Sequence, residues 1–427
     1  MAVAADTLAI NGGSPAVPQD LEFRTWPKIT KEDETLVLAS LRQDSHAFGP
    51  HAQMLQDEFA EWNGNKFCMA TNSGTAALHM CVAACGLSPG DEVITTALSW
   101  TSSATCILHH HAIPVFVDVE WDSMQMDPSL IEAAITDRTK AILAVHYWGV
   151  ACDMDEILKI AKKHNLAMIE DACQAHGATY NGNKVGTIGD VAAFSLNQNK
   201  NLCGGEGGLF VTDDPQKFDM GKAVTSFSDM RPPYAGRDYH DYGLGWMYRT
   251  SDLAAAFALG QLRKLSDNNI AAQKNWDRLD GLLEDTPNLV RSYSSRQRRT
   301  NGYAYVLRAD PVCAEQLGVS LRKLTQGVVA ALKAEGVSVS LANWLLPAHS
   351  VFQAKDAFGG GEPWKSHGRD SLSYDLSQWP VAQNCIDTCL WDINNHRPPN
   401  GSEQVDALAA AVSKVFGQLE NVPLESV

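Results

Sequence analysis

Met168-Ile169-Glu170-Asp171-Ala172-Cys173-Gln174-Ala175-His176-Gly177 is a short apolar run that stops on two carboxylates and leaves through small residues to a glycine. Residues 167–170 have the length and composition of a buried strand. Similar runs recur on both sides, at 92–96, 114–119, 141–147, 191–196 and 208–212. Helical patterns lie between several of them, at 75–85, 128–134 and 154–164. That alternation predicts an α/β domain with a largely parallel sheet between helices, and it places functional groups on loops beyond the strands' carboxyl ends. Two more helices are expected at 251–265 and 270–283, the second a connector. Beyond it, the patterns at 303–308, 321–335, 337–341 and 404–419 predict a smaller α/β unit. The expected division is residues 1–265 for the N-terminal segment and large domain, and 266–427 for the connector and small domain. Residues 358–370, with Gly359-Gly360-Gly361, are read as a mobile loop.

Composition excludes several classes. The 427 residues are 45% hydrophobic and 20% charged, the balance of a soluble globular chain. A formal net charge of −16 disfavours nucleic acid and anionic membranes as partners. The first residues lack a basic segment followed by an apolar run, and no stretch approaches the roughly 18 apolar residues of a membrane span. The ten cysteines are scattered. Cys81/Cys85 and Cys385/Cys389 have helical spacing, but neither pair has a second pair or a histidine at zinc spacing, so no metal is expected. Free thiols imply a reducing compartment, and the expected location is cytoplasmic.

Three further segments carry chemistry. Asn72-Ser73-Gly74-Thr75-Ala76-Ala77-Leu78 follows a strand-like run at 67–70 and opens a helix. Its free N–H groups and the Thr75 hydroxyl suit a phosphate, although Ser-Gly-Thr is also an ordinary helix cap. Leu196-Asn197-Gln198-Asn199-Lys200 leads from a strand into Gly204-Gly205-Glu206-Gly207-Gly208. Lys200 therefore sits among amides between two apolar strands, where a lysine's pKa falls and imine exchange is favoured, rather than on an open surface. Trp100 follows the strand 92–96 and either stacks on a flat ligand or fills the core. Asp171 is a buried carboxylate in need of a cation, or else a helix cap. Pyridoxal 5′-phosphate (PLP) asks for this set: a lysine for the imine, a carboxylate for the pyridine nitrogen, a phosphate cradle and an aromatic over the ring. Gln174 suits the phenolic oxygen, and Ser195 offers the phosphate a hydroxyl. His176 reads equally as a packed loop residue or a substrate contact.

Taken together these motifs resemble the DegT/StrS sugar aminotransferases, fold type I PLP enzymes. The resemblance runs from Leu8-Ala9-Ile10-Asn11-Gly12-Gly13 and Gly49-Pro50 to about residue 262, through Pro89-Gly90-Asp91-Glu92-Val93-Ile94, Val145-His146 and Gly204–Gly208. It is weak beyond residue 270. It implies that Lys200 forms the imine, Asp171 holds the pyridine nitrogen, Gln174 meets the phenolic oxygen and Trp100 covers the ring. Thr75, Ala76 and Ser195 would hold the phosphate. The N-terminal motif leans toward the branch with scyllo-inosose aminotransferases and aminohydroxybenzoate synthase. One departure stands out. Where the family carries an asparagine that reaches the partner subunit's phosphate, Gly245-Trp246-Met247-Tyr248-Arg249 has Met247, which offers no N–H.

The expected function is transfer of an amino group from L-glutamine or L-glutamate to a keto-sugar or keto-cyclitol, in two half-reactions with Lys200 as proton carrier. Another PLP reaction on the same scaffold, elimination or substitution, is the alternative. A cofactor-binding regulator is a more distant one, and Lys200 argues against the dehydratase branch, where histidine replaces the lysine. A homodimer with shared sites is also expected. The segment with Tyr242, Trp246, Met247, Tyr248 and Arg249 has the composition of an interface core, with Tyr242 and Arg249 as candidate partner-chain contacts.

Overall fold

The β-branched runs assemble into one seven-stranded sheet in the computed structural model, which describes residues 7–227, 244–343, 345–392 and 396–424. The strands are β1 (Phe67–Thr71), β2 (Glu92–Thr96), β3 (Ile113–Val117), β4 (Thr139–Val145), β5 (Ala167–Asp171), β6 (Val191–Ser195) and β7 (Gly208–Thr212). Their spatial order is β1-β7-β6-β5-β4-β2-β3. Pairing is parallel from β3 through β6, and β7 alone runs against both its neighbours.

Successive residues of each strand point to opposite faces, and both faces are buried. Met69, Val93, Leu143, Ile169 and Phe210 enter one apolar cluster with the helix Gly74–Ala84. Their neighbours Cys68, Ile94, Ile142, Met168 and Leu209 enter a second, with the helices Pro50–Asn63 and Asp252–Leu262. This is why the strands read as continuous apolar runs rather than alternating ones.

A third cluster joins Trp276 and Leu279 of the helix Leu265–Leu282 to the C-terminal elements, and Leu8 and Val17 return to it from the N-terminal segment. Its sheet has four short antiparallel strands, Leu289–Val290, Tyr305–Ala309, Cys389–Asp392 and Ser340–Leu341 in spatial order. The strand expected at 337–341 is thus reduced to its last two residues.

The stretch 358–370 is docked toward the edge of the seven-stranded sheet, contrary to the mobile loop expected from its glycines. Trp364 is fully buried and its indole N–H donates to Tyr374 Oη at 3.0 Å. Tyr374 Oη in turn donates to the Pro114 carbonyl at 2.7 Å, and Trp379 Nε1 to the Phe116 carbonyl at 3.1 Å. Both acceptors lie on β3, the sheet's edge strand, so three aromatics close an edge that would otherwise offer unpaired backbone. Asp118, just past β3, accepts the N–H groups of Val381 and Ala382 at 2.9 and 2.8 Å and caps the helix Pro380–Thr388. No helix among the described residues is long and apolar enough to cross a membrane.

Candidate active site

The carboxyl ends of β1, β5 and β6 face a cavity of about 420 Å³, lined by Gly74, Thr75, Asp171, Ser195 and Lys200 among others. A wider open groove of about 930 Å³ lies elsewhere, but its Arg291 and Arg299 are taken up by Asp280 and Asp277, and among the described residues it is lined by no Lys, Cys or His. The smaller cavity is the one with chemistry.

At one end the helix Gly74–Ala84 presents its N-terminus. Ser73 caps it, accepting the Ala76 N–H at 3.1 Å, so the capping role read from Ser-Gly-Thr falls to Ser73. Thr75 Oγ1 and Ser102 Oγ lie 2.7 Å apart, both on the cavity wall. Gly74 is required by close approach: a Cβ there would stand 2.8 Å from Ser195 Cβ. Helix start and strand end are thereby close enough for N–H groups and the Ser195 hydroxyl to meet one anion.

The same cavity is lined by Asp171, 4% exposed at the tip of β5. It accepts the Ser103 hydroxyl at 2.7 Å and the Cys173 N–H at 3.1 Å, and no cation pairs with it among the described residues. Its neighbour Glu170 points to the other face and is saturated. Glu170 accepts the N–H groups of Gly186, Ile188 and Gly189 and a hydrogen bond from His146 Nε2 at 2.9 Å. Burial raises the Glu170 pKa, but these donors outweigh it and hold the carboxyl below its ordinary range. His146 Nδ1 accepts the Cys152 N–H at 3.1 Å, so its proton sits on Nε2. Glu170 thus fixes the strand end on which Asp171 stands.

Lys200 lines the same cavity. Its loop is tied to the glycine run, with Leu196 N–H donating to Gly207 and Gln198 N–H to Gly205. Gly205 and Gly207 take φ of 79° and 151°, backbone that only glycine adopts freely. Lys200 Nζ lies 3.2 Å from Tyr303 Oη.

Gln174 lines the cavity and its Oε1 accepts the Trp148 N–H at 2.9 Å, which leaves its NH₂ group to donate. Trp100 is 55% exposed on the cavity wall rather than packed in the core. Ala76 is buried in the helix's first turn. His176 does not line the cavity: it is fully buried against Phe194, where burial and then the Lys200 charge push its pKa down to about 3. It is a neutral packing residue here. Arg249 is exposed, away from the cavity lining, with its Nε donating to Met247 Sδ at 3.3 Å. Its segment nevertheless borders the cradle, since Asn72 N–H donates to the Tyr248 carbonyl at 2.8 Å. Tyr242 lies outside the described residues.

The sequence reading missed Tyr147, Trp148 and Tyr303, all cavity residues. Tyr147 and Trp148 follow β4, and a strand's carboxyl end is itself a signal. Trp148 has a φ of 56°, a strained conformation for a tryptophan of the kind that gathers at functional sites. Tyr303 has no local signal, because it arrives from the far side of the connector helix.

These residues fit PLP. The buried Asp171 pairs with no cation among the described residues, the helix N-terminus suits an anion, and Lys200 lines the same cavity.

The DegT/DnrJ/EryC1/StrS aminotransferase family model matches residues 27–358. The spore coat polysaccharide biosynthesis protein SpsC of Bacillus subtilis is 36% identical over 332 residues, 76% of this chain and 82% of that protein. The L-glutamine:2-deoxy-scyllo-inosose aminotransferase of Streptomyces fradiae is 33% identical and covers 96% of this chain and 97% of its own. Among solved structures, 3-amino-5-hydroxybenzoic acid synthase superposes with a TM-score of 0.81 at 26% identity, covering 93% of this chain and 99% of its own. The PLP form of the sugar aminotransferase Spr1654 from Streptococcus pneumoniae gives 0.80 at 22% identity, with the same coverage.

Proposed function

The chain belongs to the DegT/DnrJ/EryC1/StrS aminotransferase family, and from that premise we propose that it moves the amino group of L-glutamine or L-glutamate onto a keto-cyclitol or keto-sugar, with Lys200 as its cofactor lysine. It is a PLP-dependent aminotransferase. The acceptor and donor are inferred from the scyllo-inosose aminotransferase relatives, together with a cavity walled by amides, hydroxyls and aromatics. The observation that carries the reading is the convergence of Asp171, Lys200 and the Gly74–Ala84 helix N-terminus on one cavity of about 420 Å³.

Bound there, PLP supplies the electron sink that lets the donor's Cα–H bond break. The chain's own residues do the rest. The helix start at Gly74 and Thr75 and the Ser195 hydroxyl would hold the phosphate. Asp171 would face the ring nitrogen and keep it protonated, with the Ser103 hydroxyl and the Cys173 N–H fixing the carboxylate. Gln174 would donate to the phenolic oxygen, and Trp100 would cover one face. Lys200 Nζ would take up the proton from the donor's α-carbon in one half-reaction and supply one to the acceptor-derived carbon in the other.

The test is a panel of amino donors mixed one at a time with the purified protein while the bound cofactor's spectrum is followed. Glutamine or glutamate is expected to convert it to the pyridoxamine form, and a keto-cyclitol such as scyllo-inosose to convert it back. Conversion by neither donor, or release of ammonia and a keto acid with no amine product, would overturn the assignment in favour of elimination chemistry.

A further inference from the structure

Lys200 is a flexible side chain, and a proton carrier must be aimed. Among the described residues its Nζ has one hydrogen-bond partner, the Tyr303 hydroxyl at 3.2 Å, and it lies 5.0 Å from the centre of that ring. Tyr303 is 4% exposed and lines the cavity.

Its own position is fixed from several sides. The Tyr303 N–H donates to Asn301 Oδ1 at 3.0 Å, and Asn301 Nδ2 donates to the Gln174 carbonyl at 3.1 Å. Asn201, next to Lys200, donates to the Asn301 carbonyl at 3.1 Å and to Asn269 Oδ1 at 2.9 Å. Arg397, 1% exposed, places its guanidinium 5.6 Å from the Tyr303 ring and 4.9 Å from the Trp26 ring. Arg397 also donates to the Asn199 carbonyl at 3.0 Å, and Trp26 Nε1 to the Lys200 carbonyl at 2.9 Å. The backbone of the lysine loop is thus gripped by Trp26 and Arg397, while Tyr303 holds the side chain.

We propose that Tyr303 is a positioning residue of the reaction: its hydroxyl keeps the Lys200 nitrogen aimed into the cavity, and Trp26 and Arg397 brace the pair. A phenol both donates and accepts, so it can hold the neutral amine, and it holds the charged nitrogen more strongly because a hydrogen bond to an ionised group is the stronger one. The other groups near that nitrogen do not substitute for it. Asp171 is engaged by Ser103 and Cys173, and Glu206 accepts from Asn197 Nδ2. Burial pushes the Cys173 thiol's pKa up, His176 is neutral and packed against Phe194, and Arg397 stands by the Tyr303 and Trp26 rings. The proposal rests on Lys200 being the cofactor lysine.

The test uses the holoenzyme and Tyr303→Phe, with melting temperature as the check on folding. Removing the oxygen takes an acceptor from the charged nitrogen, so protonation becomes harder. The pH midpoint of the bound cofactor's absorbance is expected to fall by about one unit. The donor half-reaction is expected to slow by about tenfold or more while the KM for the donor is unchanged. Tyr303→His returns a hydrogen-bonding atom to the ring and is expected to recover part of both effects, which also serves if the phenylalanine variant is unstable. Variants with the wild-type midpoint and half-reaction rate would overturn the proposal while leaving Lys200 in its role. Borohydride reduction of the wild type that fixed the cofactor on another lysine would overturn both.

Discussion

Asp171 has two hydrogen bonds and no cation among the described residues, at 4% exposure. Such a carboxylate is unfavourable by itself and becomes favourable when a positive ring nitrogen arrives beside it. Asp171→Asn is expected to lower kcat by about a hundredfold or more, because an amide does not hold that proton through the carbanionic state. Steady-state kinetics on a variant with wild-type secondary structure checks this, and near-normal turnover would remove the role. Asp171, Lys200 and Thr75 were legible because each stands in a local motif at a strand end. Tyr303 and Trp26 were not, because their contacts with the lysine cross the whole chain and leave no periodicity behind. His176 was ambiguous for a related reason: sequence shows a histidine near the site but not that its ring turns into the core against Phe194.

Strand and helix boundaries were read to within a few residues wherever both faces of a strand are buried, since burial is what makes an apolar run continuous. The segment 358–370 reads as mobile because three glycines dominate its composition, while Trp364 within it and Tyr374 and Trp379 just beyond it decide its packing. Each of those rings is 5% exposed or less. Trp379→Ala is expected to destabilise the fold by about 3 to 5 kcal/mol, through the lost ring and the uncovered edge of β3, as measured by denaturant unfolding. A loss below about 1 kcal/mol would mean the segment is not structural. Three helices meet at Asp252, which accepts Ser40 Oγ at 2.6 Å, the His51 N–H at 2.8 Å, His51 Nδ1 at 2.7 Å and the Ala52 N–H at 3.1 Å. Burial alone would raise its pKa, but the Ser40, His51 and Ala52 hydrogen bonds outweigh it and hold the value below the ordinary 3.8. A carboxyl depressed in the fold contributes stability above about pH 3.8 and loses it as the pH falls through the lower folded value. Asp252→Asn is therefore expected to be less stable at pH 7 and to show a flatter acid limb than the wild type in urea melts between pH 2 and 6. Parallel pH curves would contradict this.

At the scale of the whole molecule, the exposed apolar surface bears on assembly. Leu244, Trp246 and Met247 are 80%, 41% and 45% exposed in the segment that Asn72 bonds through Met247 and Tyr248, an apolar stretch that asks for cover. The expectation of a homodimer with shared sites gives it one. Sedimentation velocity is expected to find a dimer, and Trp246→Glu to weaken that dimer and PLP retention together. A monomer with full activity at nanomolar dilution would contradict shared sites. The net charge of −16 is spread over a chain whose cavity still carries a lysine and a helix N-terminus, so the global acidity says nothing against an anionic cofactor. All of this turns on which lysine carries the cofactor. The most direct measurement is borohydride reduction of the holoenzyme followed by peptide mass mapping. The expected result is a single pyridoxyl-modified peptide with the added mass on Lys200, and none in Lys200→Ala. Modification of a different lysine, or a modified peptide that persists in Lys200→Ala, would contradict the assignment of the site.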